Sequence, residues 1–305
     1  MSMDIGVIGL GKMGAGMARR LLAAGHRVTV HDLRQEAVQA LAREGAAGAS
    51  SVESLLQALK RPRLLLLSLP AGEPVEQMVG KLREQLDGGD VLIDGGNSFF
   101  KDDRRRAAWL AERGVRYLDA GVSGGVWGLE QGYCLMVGGE REAYELAEPL
   151  LRDLAPEKGL LYAGPPGAGH FLKMVHNGIE YALMEAYAEG FELLASSAYG
   201  PGLDFAQVAG LWNHGSVIRS WLLELLERAF GRDPRLEAIR GYVEDTGEGR
   251  WTVQQAVESG VGATAIAHAL FKRFDSRKPD LFANRVLAAL RAEFGGHEVK
   301  PKAGK

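Results

Sequence analysis

The run Gly169-His170-Phe171-Leu172-Lys173-Met174-Val175-His176-Asn177-Gly178-Ile179-Glu180-Tyr181 gathers an amine, imidazoles, an amide, a carboxylate and a phenol within a few turns of chain. At about 3.6 residues per helical turn, positions i, i+3, i+4, i+7 and i+8 share one face. Lys173, His176, Asn177, Glu180 and Tyr181 occupy those positions, while Met174, Val175 and Ile179 lie elsewhere and can pack. A polar face commonly meets water, and Lys and Glu at this spacing commonly end as a salt bridge. Here the opposite face is apolar, the run includes Asn and His, and Gly178 lets another backbone come close. These features favour a catalytic face.

A second group suits phosphate binding. Gly9-Leu10-Gly11-Lys12-Met13-Gly14 is G-x-G-x-x-G, placed after a strand-like run and opening a helix-like one. In that context Gly9 permits the tight turn, Gly11 lets the backbone approach a pyrophosphate, and Gly14 allows close helix–strand packing. The helix start supplies unpaired N–H groups. Asp32, 18 positions after Gly14, stands where a carboxylate accepts hydrogen bonds from ribose hydroxyls and repels a 2′-phosphate. It therefore favours NAD over NADP, and it can also cap the helix that follows. Arg34, two residues on, could instead bend back to a 2′-phosphate. Leu69-Pro70-Ala71-Gly72 ends a later strand and is expected to border the cofactor.

Two further glycine turns follow strands. Asp94-Gly95-Gly96-Asn97-Ser98 is one; Asp119-Ala120-Gly121-Val122-Ser123-Gly124-Gly125 is the other. Ser123 with Gly124 and Gly125 offers a hydroxyl and accessible backbone N–H groups, a cradle suited to a carboxylate.

The elements that must hold these groups alternate in the first half. Strands are expected at Ile5–Gly9, Arg27–Asp32, Arg63–Leu69, Val91–Asp94 and Val115–Asp119. Helices are expected at Met13–Ala24, Gln35–Arg43, Val75–Leu86 and Asp102–Glu112. Continuous apolar strands between helices imply a parallel sheet covered on both faces. The fold class is thus an α/β Rossmann-like doubly wound parallel sheet followed by an all-α C-terminal domain. The change falls at Gly164-Pro165-Pro166-Gly167, beyond which Phe171–Ser196 reads as one long helix and no convincing strand appears. The expected domains are residues 1–165 for the dinucleotide, 166–297 for substrate and oligomerisation, and 298–305 as a fraying tail.

Composition bounds the rest. The chain has 305 residues, a net charge of −3, and 46% hydrophobic residues, which excludes wholesale disorder and a generally basic nucleic-acid surface. A single cysteine, Cys134, allows no intrachain disulfide and no CxxC metal site. The start of the chain lacks the features of a signal peptide, and Leu64 to Leu69 is far too short to span a bilayer at about 20 residues. A cytoplasmic protein without membrane or nucleic-acid partners is expected.

The residues also carry a resemblance. Val7 to Ala18 resemble the glycine-rich start of the β-hydroxyacid dehydrogenase superfamily. Gly169 to Tyr181 match throughout the hallmark of the 6-phosphogluconate dehydrogenase family, and Gly121 to Gly125 match its G-V-S-G-G. The resemblance runs from residue 3 to about 297, and the length is similar to the family's short form, whose members typically prefer NAD. It implies that Lys173 is the general base and acid, and that Glu180 protonates the enediol. It implies that Asn177 and His176 hold the substrate's C3 hydroxyl and carboxylate, with Asn97, Ser123, Gly124 and Gly125 lining the same site. Tyr181 corresponds to a phosphate ligand. Phe271 to Ser276 resembles F-x-R-x-x-S, which makes Arg273 the phosphate arginine. Arg291 to His297 resembles R-x-x-F-G-x-H, a tail that reaches a partner subunit's site, so Arg291 and His297 imply a homodimer or homotetramer. No metal is implied. One stretch departs from the family: K-G-T-G-K-W in the long form is Thr246-Gly247-Glu248-Gly249-Arg250-Trp251 here. Those two phosphate positions are not carried over, since a carboxylate facing a phosphate is unfavourable. Arg250 is either structural or a replacement charge.

The implied reaction is oxidative decarboxylation of 6-phosphogluconate to ribulose 5-phosphate. It requires Lys173 to lose a proton near neutral pH, through burial or nearby positive charge. The rivals are a non-decarboxylating dehydrogenase of a small unphosphorylated acid, which would not need Glu180, Tyr181, Arg273 or the Arg291/His297 tail, and a noncatalytic NAD-binding sensor or scaffold.

Overall fold

The computed structural model describes residues 2–278 and 281–295, the side chains of 292–295 excepted. Contacts divide the chain into two compact units, Met1–His176 and Asn177–Lys305, and the division falls inside one long helix.

The first unit is built on an eight-stranded sheet in the order β3-β2-β1-β4-β5-β6-β7-β8. The strands are β1 Asp4–Ile8, β2 Arg27–His31, β3 Ala47–Gly48, β4 Leu64–Leu67, β5 Val91–Asp94, β6 Arg116–Ser123, β7 Cys134–Gly139 and β8 Leu160–Gly164. The helices between them are α1 Lys12–Ala23, α2 Gln35–Arg43, α3 Val52–Ala58, α4 Glu73–Arg83, α5 Phe100–Ala111, α6 Gly128–Gln131 and α7 Arg141–Leu154. Buried side chains form two apolar layers. One holds Val7, Val28, Leu66, Ile93 and Leu150; the other holds Ile8, Leu55, Leu65, Val79 and Leu110. Neighbours along a strand, such as Val7 and Ile8, enter opposite layers, as period-two side chains in a doubly covered sheet must.

The expected strands and helices of this half are all present, with ends shifted by a few residues. Three differences matter. The short β3, and β7 and β8 between Asp119 and Gly164, are additional to the five expected strands. The sheet is mostly but not wholly parallel, because β7 runs antiparallel to β6, pairing Ser123 with Cys134 and Asp119 with Gly138. And β6 does not stop at Asp119: it continues through Gly121 to Ser123, so only Gly124 and Gly125, at φ 125° and 52°, form the turn.

The long helix α8 covers Ala168–Ser196, three residues earlier than its expected start. The second unit then adds α9 Phe205–Asn213, α10 Trp221–Arg232, α11 Glu248–Glu258, α12 Thr264–Ser276 and α13 Phe282–Gly295. No strand occurs there among the described residues, in line with the all-α expectation. Its packing centres on Phe191, Phe205, Leu223 and Phe230, with a smaller cluster of Tyr181, Ala269 and Leu270. No described helix is long and apolar enough to cross a membrane.

Candidate active site

The glycine turn after β1 has the geometry that phosphate binding needs. Gly9 adopts φ 94°, and a Cβ there would lie 2.4 Å from the Ser68 carbonyl oxygen. A Cβ on Gly14 would fall 2.0 Å from the Gly9 carbonyl oxygen, so α1 can lie this close to β1 only without a side chain. Gly11 faces open space and caps α1 without a side-chain bond, and the first turn of α1 carries no acid. Its N–H groups are thus free of competing carboxylates, as a pyrophosphate requires. Lys12 and Met13 follow on this turn, and Leu10 is buried beneath it.

Asp32 is built into the same turn. Its Oδ2 accepts from the Leu10 N–H at 2.6 Å, and its Oδ1 accepts from the Arg34 N–H at 2.8 Å. Burial resists its charge, but these two N–H groups and the Arg34 guanidinium outweigh it and hold the carboxyl below its usual range. Arg34 donates through Nη2 to the Leu10 carbonyl at 3.1 Å, so both residues brace the loop. The adjoining loops also meet: a Cβ on Gly96 would sit 2.8 Å from the Leu69 carbonyl oxygen, which puts Leu69 beside the loop carrying Asn97. Pro70 and Ala71 are exposed next to it.

Ser123, Lys173 and His176 come together within the first unit. Lys173 is buried, and its Nζ lies 3.4 Å from His176 Nδ1; His176 Nε2 lies 3.4 Å from Ser123 Oγ. If Lys173 donates to Nδ1, the imidazole carries its proton on Nε2 and donates to Ser123. The lysine stem fits here because β6 offers no side chain at Gly121: a Cβ there would be 2.4 Å from the Lys173 Cβ. Gly169 and Gly138 meet in the same seam, where a Cβ on Gly169 would strike the Met136 and Asp119 carbonyl oxygens at 2.4 and 2.5 Å.

Beneath this seam lies a polar network absent from the sequence-based expectations. Asp119 accepts N–H bonds from Gly167 at 2.7 Å and His170 at 2.9 Å, and so caps the start of α8. His170 Nδ1 lies 2.7 Å from Asp103 Oδ2. Asp103 also accepts from Arg106, and Asp94 accepts from Ser98, Arg106 and the Gly96 N–H. The Tyr117 hydroxyl stands within hydrogen-bond distance of both carboxylates. All these side chains are buried. Burial disfavours a charged imidazole, but Asp103, Asp94 and Asp119 outweigh it and lift His170 to about 10. Burial, with Asp103 nearby, raises Asp119 to about 6 despite His170 and its two N–H partners. Asp94, Asp103 and His170 approach one another as metal ligands would, yet Arg106 Nη1 already stands 3.3 and 3.2 Å from the two carboxylates. The guanidinium and the His170 imidazole together supply the positive charge of this cluster.

In the second unit, Tyr181 and Arg273 are brought together. The Arg273 guanidinium stacks 3.4 Å from the centre of the Tyr181 ring and donates to the Glu244 carbonyl at 3.0 Å. Arg250 is held by both oxygens of Asp245, which also takes Arg277, a pairing in keeping with the structural alternative. Glu248 is buried, and its Oε2 accepts from the Thr246 hydroxyl at 2.6 Å. Its Oε1 and the Tyr181 hydroxyl are both buried without a hydrogen-bond partner. Gly178 meets Thr252 of α11, whose side chain a Cβ would strike at 2.7 Å. Asn177 and Glu180 are half-buried on α8, which runs unbroken from Lys173 through Tyr181. Arg291 is exposed on α13, and His297 lies outside the described residues.

A Rossmann-like nucleotide turn, a buried lysine in contact with histidine, and a helical second unit define an oxidoreductase of the NAD(P)-binding class. Residues 4–164 match the family described as the NAD binding domain of 6-phosphogluconate dehydrogenase, and residues 169–298 match the 6-phosphogluconate dehydrogenase C-terminal domain. The chain belongs to the 6-phosphogluconate dehydrogenase family. It is 46% identical to the Haloferax volcanii protein named NAD(+)-dependent, decarboxylating 6-phosphogluconate dehydrogenase, over 98% of this chain and 99% of the relative. Its fold is similar to Plasmodium falciparum 6-phosphogluconate dehydrogenase, with TM-score 0.82 and 27% identity, over 99% of this chain and 67% of that one. It is also similar to Mycobacterium tuberculosis 3-hydroxyisobutyrate dehydrogenase, with TM-score 0.72 and 25% identity, over 96% and 100%.

Proposed function

We propose that the chain is a short-form, NAD-preferring enzyme that converts 6-phosphogluconate to ribulose 5-phosphate and CO2. The observation that carries the reading is the Ser123–His176–Lys173 chain of contacts, at 3.4 Å each, on the helix bearing the family hallmark. The dinucleotide would be held by Gly9 to Gly14, Asp32, Leu69 to Ala71 and Asn97, and when bound it supplies the acceptor for hydride from C3. Lys173 takes the C3 hydroxyl proton as that carbon becomes a ketone. Asn97, Ser123, Gly124, Gly125, His176 and Asn177 hold the hydroxyl and carboxylate. Loss of CO2 then sends the C1–C2 bonding pair toward the C3 carbonyl, and protonated Lys173 steadies the oxyanion. Glu180 delivers a proton to the former C2, completing the ketose. Tyr181 and Arg273 hold the phosphate, and Arg291 and His297 serve a partner subunit's site in a cytoplasmic homodimer or homotetramer.

The second reading is a non-decarboxylating dehydrogenase of a small unphosphorylated β-hydroxy acid. Buried Glu248 beside Tyr181 favours it, since a carboxylate repels phosphate. The test measures NADH and CO2 together. Equal amounts of both from 6-phosphogluconate are expected. NADH without CO2 from 3-hydroxyisobutyrate, with 6-phosphogluconate inert, would establish the second reading instead.

A further inference from the structure

The buried network beneath α8 touches two pieces of the candidate site at once. At one end, Asp119 and His170 hold the first turn of the helix that presents Lys173 one turn later. At the other, Asp94 takes the Gly96 N–H at 3.0 Å and the Ser98 hydroxyl at 2.7 Å, which closes the loop around Asn97. Asp103 and Arg106 join the two ends across α5. A buried ion pair is poor value for stability alone, because apolar residues of the same shape often serve as well or better. What charge-assisted bonds add is a fixed distance and direction. The seam makes that direction matter: with glycines at 121, 138 and 169 the backbones are already in contact, so α8 has almost no freedom to approach β6 further.

We propose that His170 and Asp103 are positioning residues that fix the axial placement of α8 and thereby set Lys173 Nζ against His176 and relative to the Asn97 loop. Both are buried, and neither is among the residues proposed to hold substrate or dinucleotide. The proposal rests on the reading of Lys173 as the proton-transfer group, so its test has one arm that does not depend on turnover.

That test compares His170→Leu, which removes the bond to Asp103, with His170→Asn, whose amide can still donate to Asp103 from near the Nδ1 position. Amide hydrogen exchange of residues 171–176 is measured beside kcat, KM and NAD affinity. His170→Leu is expected to exchange about tenfold faster there and to lose about tenfold or more in kcat, with KM and NAD affinity within about threefold, as a misplaced catalytic group predicts. His170→Asn is expected to restore both exchange and kcat to within about threefold of the parent. Wild-type exchange and kcat in His170→Leu would overturn the proposal, and so would failure of His170→Asn to rescue. Should His170→Leu not fold, Asp103→Asn, which removes the charge but keeps an acceptor for Tyr117, carries the same comparison. If the parent does not turn over 6-phosphogluconate, the proposed reaction fails while the exchange arm still decides the network.

Discussion

The two units hold their buried carboxylates in different ways. Under the start of α8, the carboxylates of Asp94, Asp103 and Asp119 are all taken up by Arg106, His170, Ser98 and backbone N–H groups. Beside Tyr181, by contrast, a carboxylate oxygen of Glu248 and the tyrosine hydroxyl are buried with no partner. Leaving a buried polar atom unsatisfied costs about 1–3 kcal/mol. The carboxylates of the first cluster are finished before any ligand arrives, although His170 Nε2 is left buried without a hydrogen-bond partner. The second leaves the Tyr181 hydroxyl, a donor, for an incoming group, which makes it the receptor side of the proposed reaction. The first region should therefore govern rate and stability, and the second should govern affinity.

The largest expected effect lies on the finished side. Lys173→Met should lower kcat by about 10³-fold while NAD affinity, read by fluorescence titration, stays unchanged. Appreciable turnover would reject the base assignment. On the receptor side, Arg273→Ala should raise KM for 6-phosphogluconate by about 10²-fold with little change in kcat, as loss of a charge-assisted phosphate contact requires. A fall in kcat alone would erase the distinction between the regions. The braced nucleotide turn offers a third probe. Asp32→Ala combined with Leu33→Arg should move the ratio of NADP to NAD use by about tenfold toward NADP, because Leu33 is 93% exposed and free to carry a new cation. No shift would mean that the ribose reading of Asp32 is wrong. Glu248→Gln should lower KM for the phosphorylated substrate by about threefold by relieving repulsion; an unchanged KM would separate Glu248 from the phosphate.

The smallest effect is a dependence on pH. The His170 imidazole is raised from 6.5 to about 10 in the folded chain. Its stabilisation is therefore complete below pH 6.5 and is lost as pH rises through 10. Asp119 is raised from 3.8 to about 6, so its own contribution is already gone above pH 6 and does not enter that window. The difference in melting temperature between the parent and His170→Asn should shrink by about 3 °C from pH 6.5 to 10. A difference that stays constant would mean that His170 is not charged in the folded protein.

Much of this contrast was hidden from the sequence. The glycine turn, Asp32 and α8 were legible because each is a local pattern with one physical reading: a tight turn, a strand end and a long run without breakers. The network is tertiary, and its residues lie as far apart as Asp94 and His170, each an ordinary polar residue in its own neighbourhood. The strands β7 and β8 were obscured because short apolar runs ending in glycine fit several structures. Gly121 misled for a related reason. It reads as a turn, yet it lies within a strand, and what it provides is room for the lysine stem rather than a bend. Glu248 was recognised as a departure, but only the fold shows that it is buried with one oxygen bonded to Thr246.

The glycine seam also limits what protein engineering can ask of this scaffold. Even one added methyl at position 121 would have to push the lysine stem aside, and at 169 it would overlap two carbonyl oxygens. A redesign meant to make room beside Lys173 cannot take it from this seam, because the wall behind the amine has none to give.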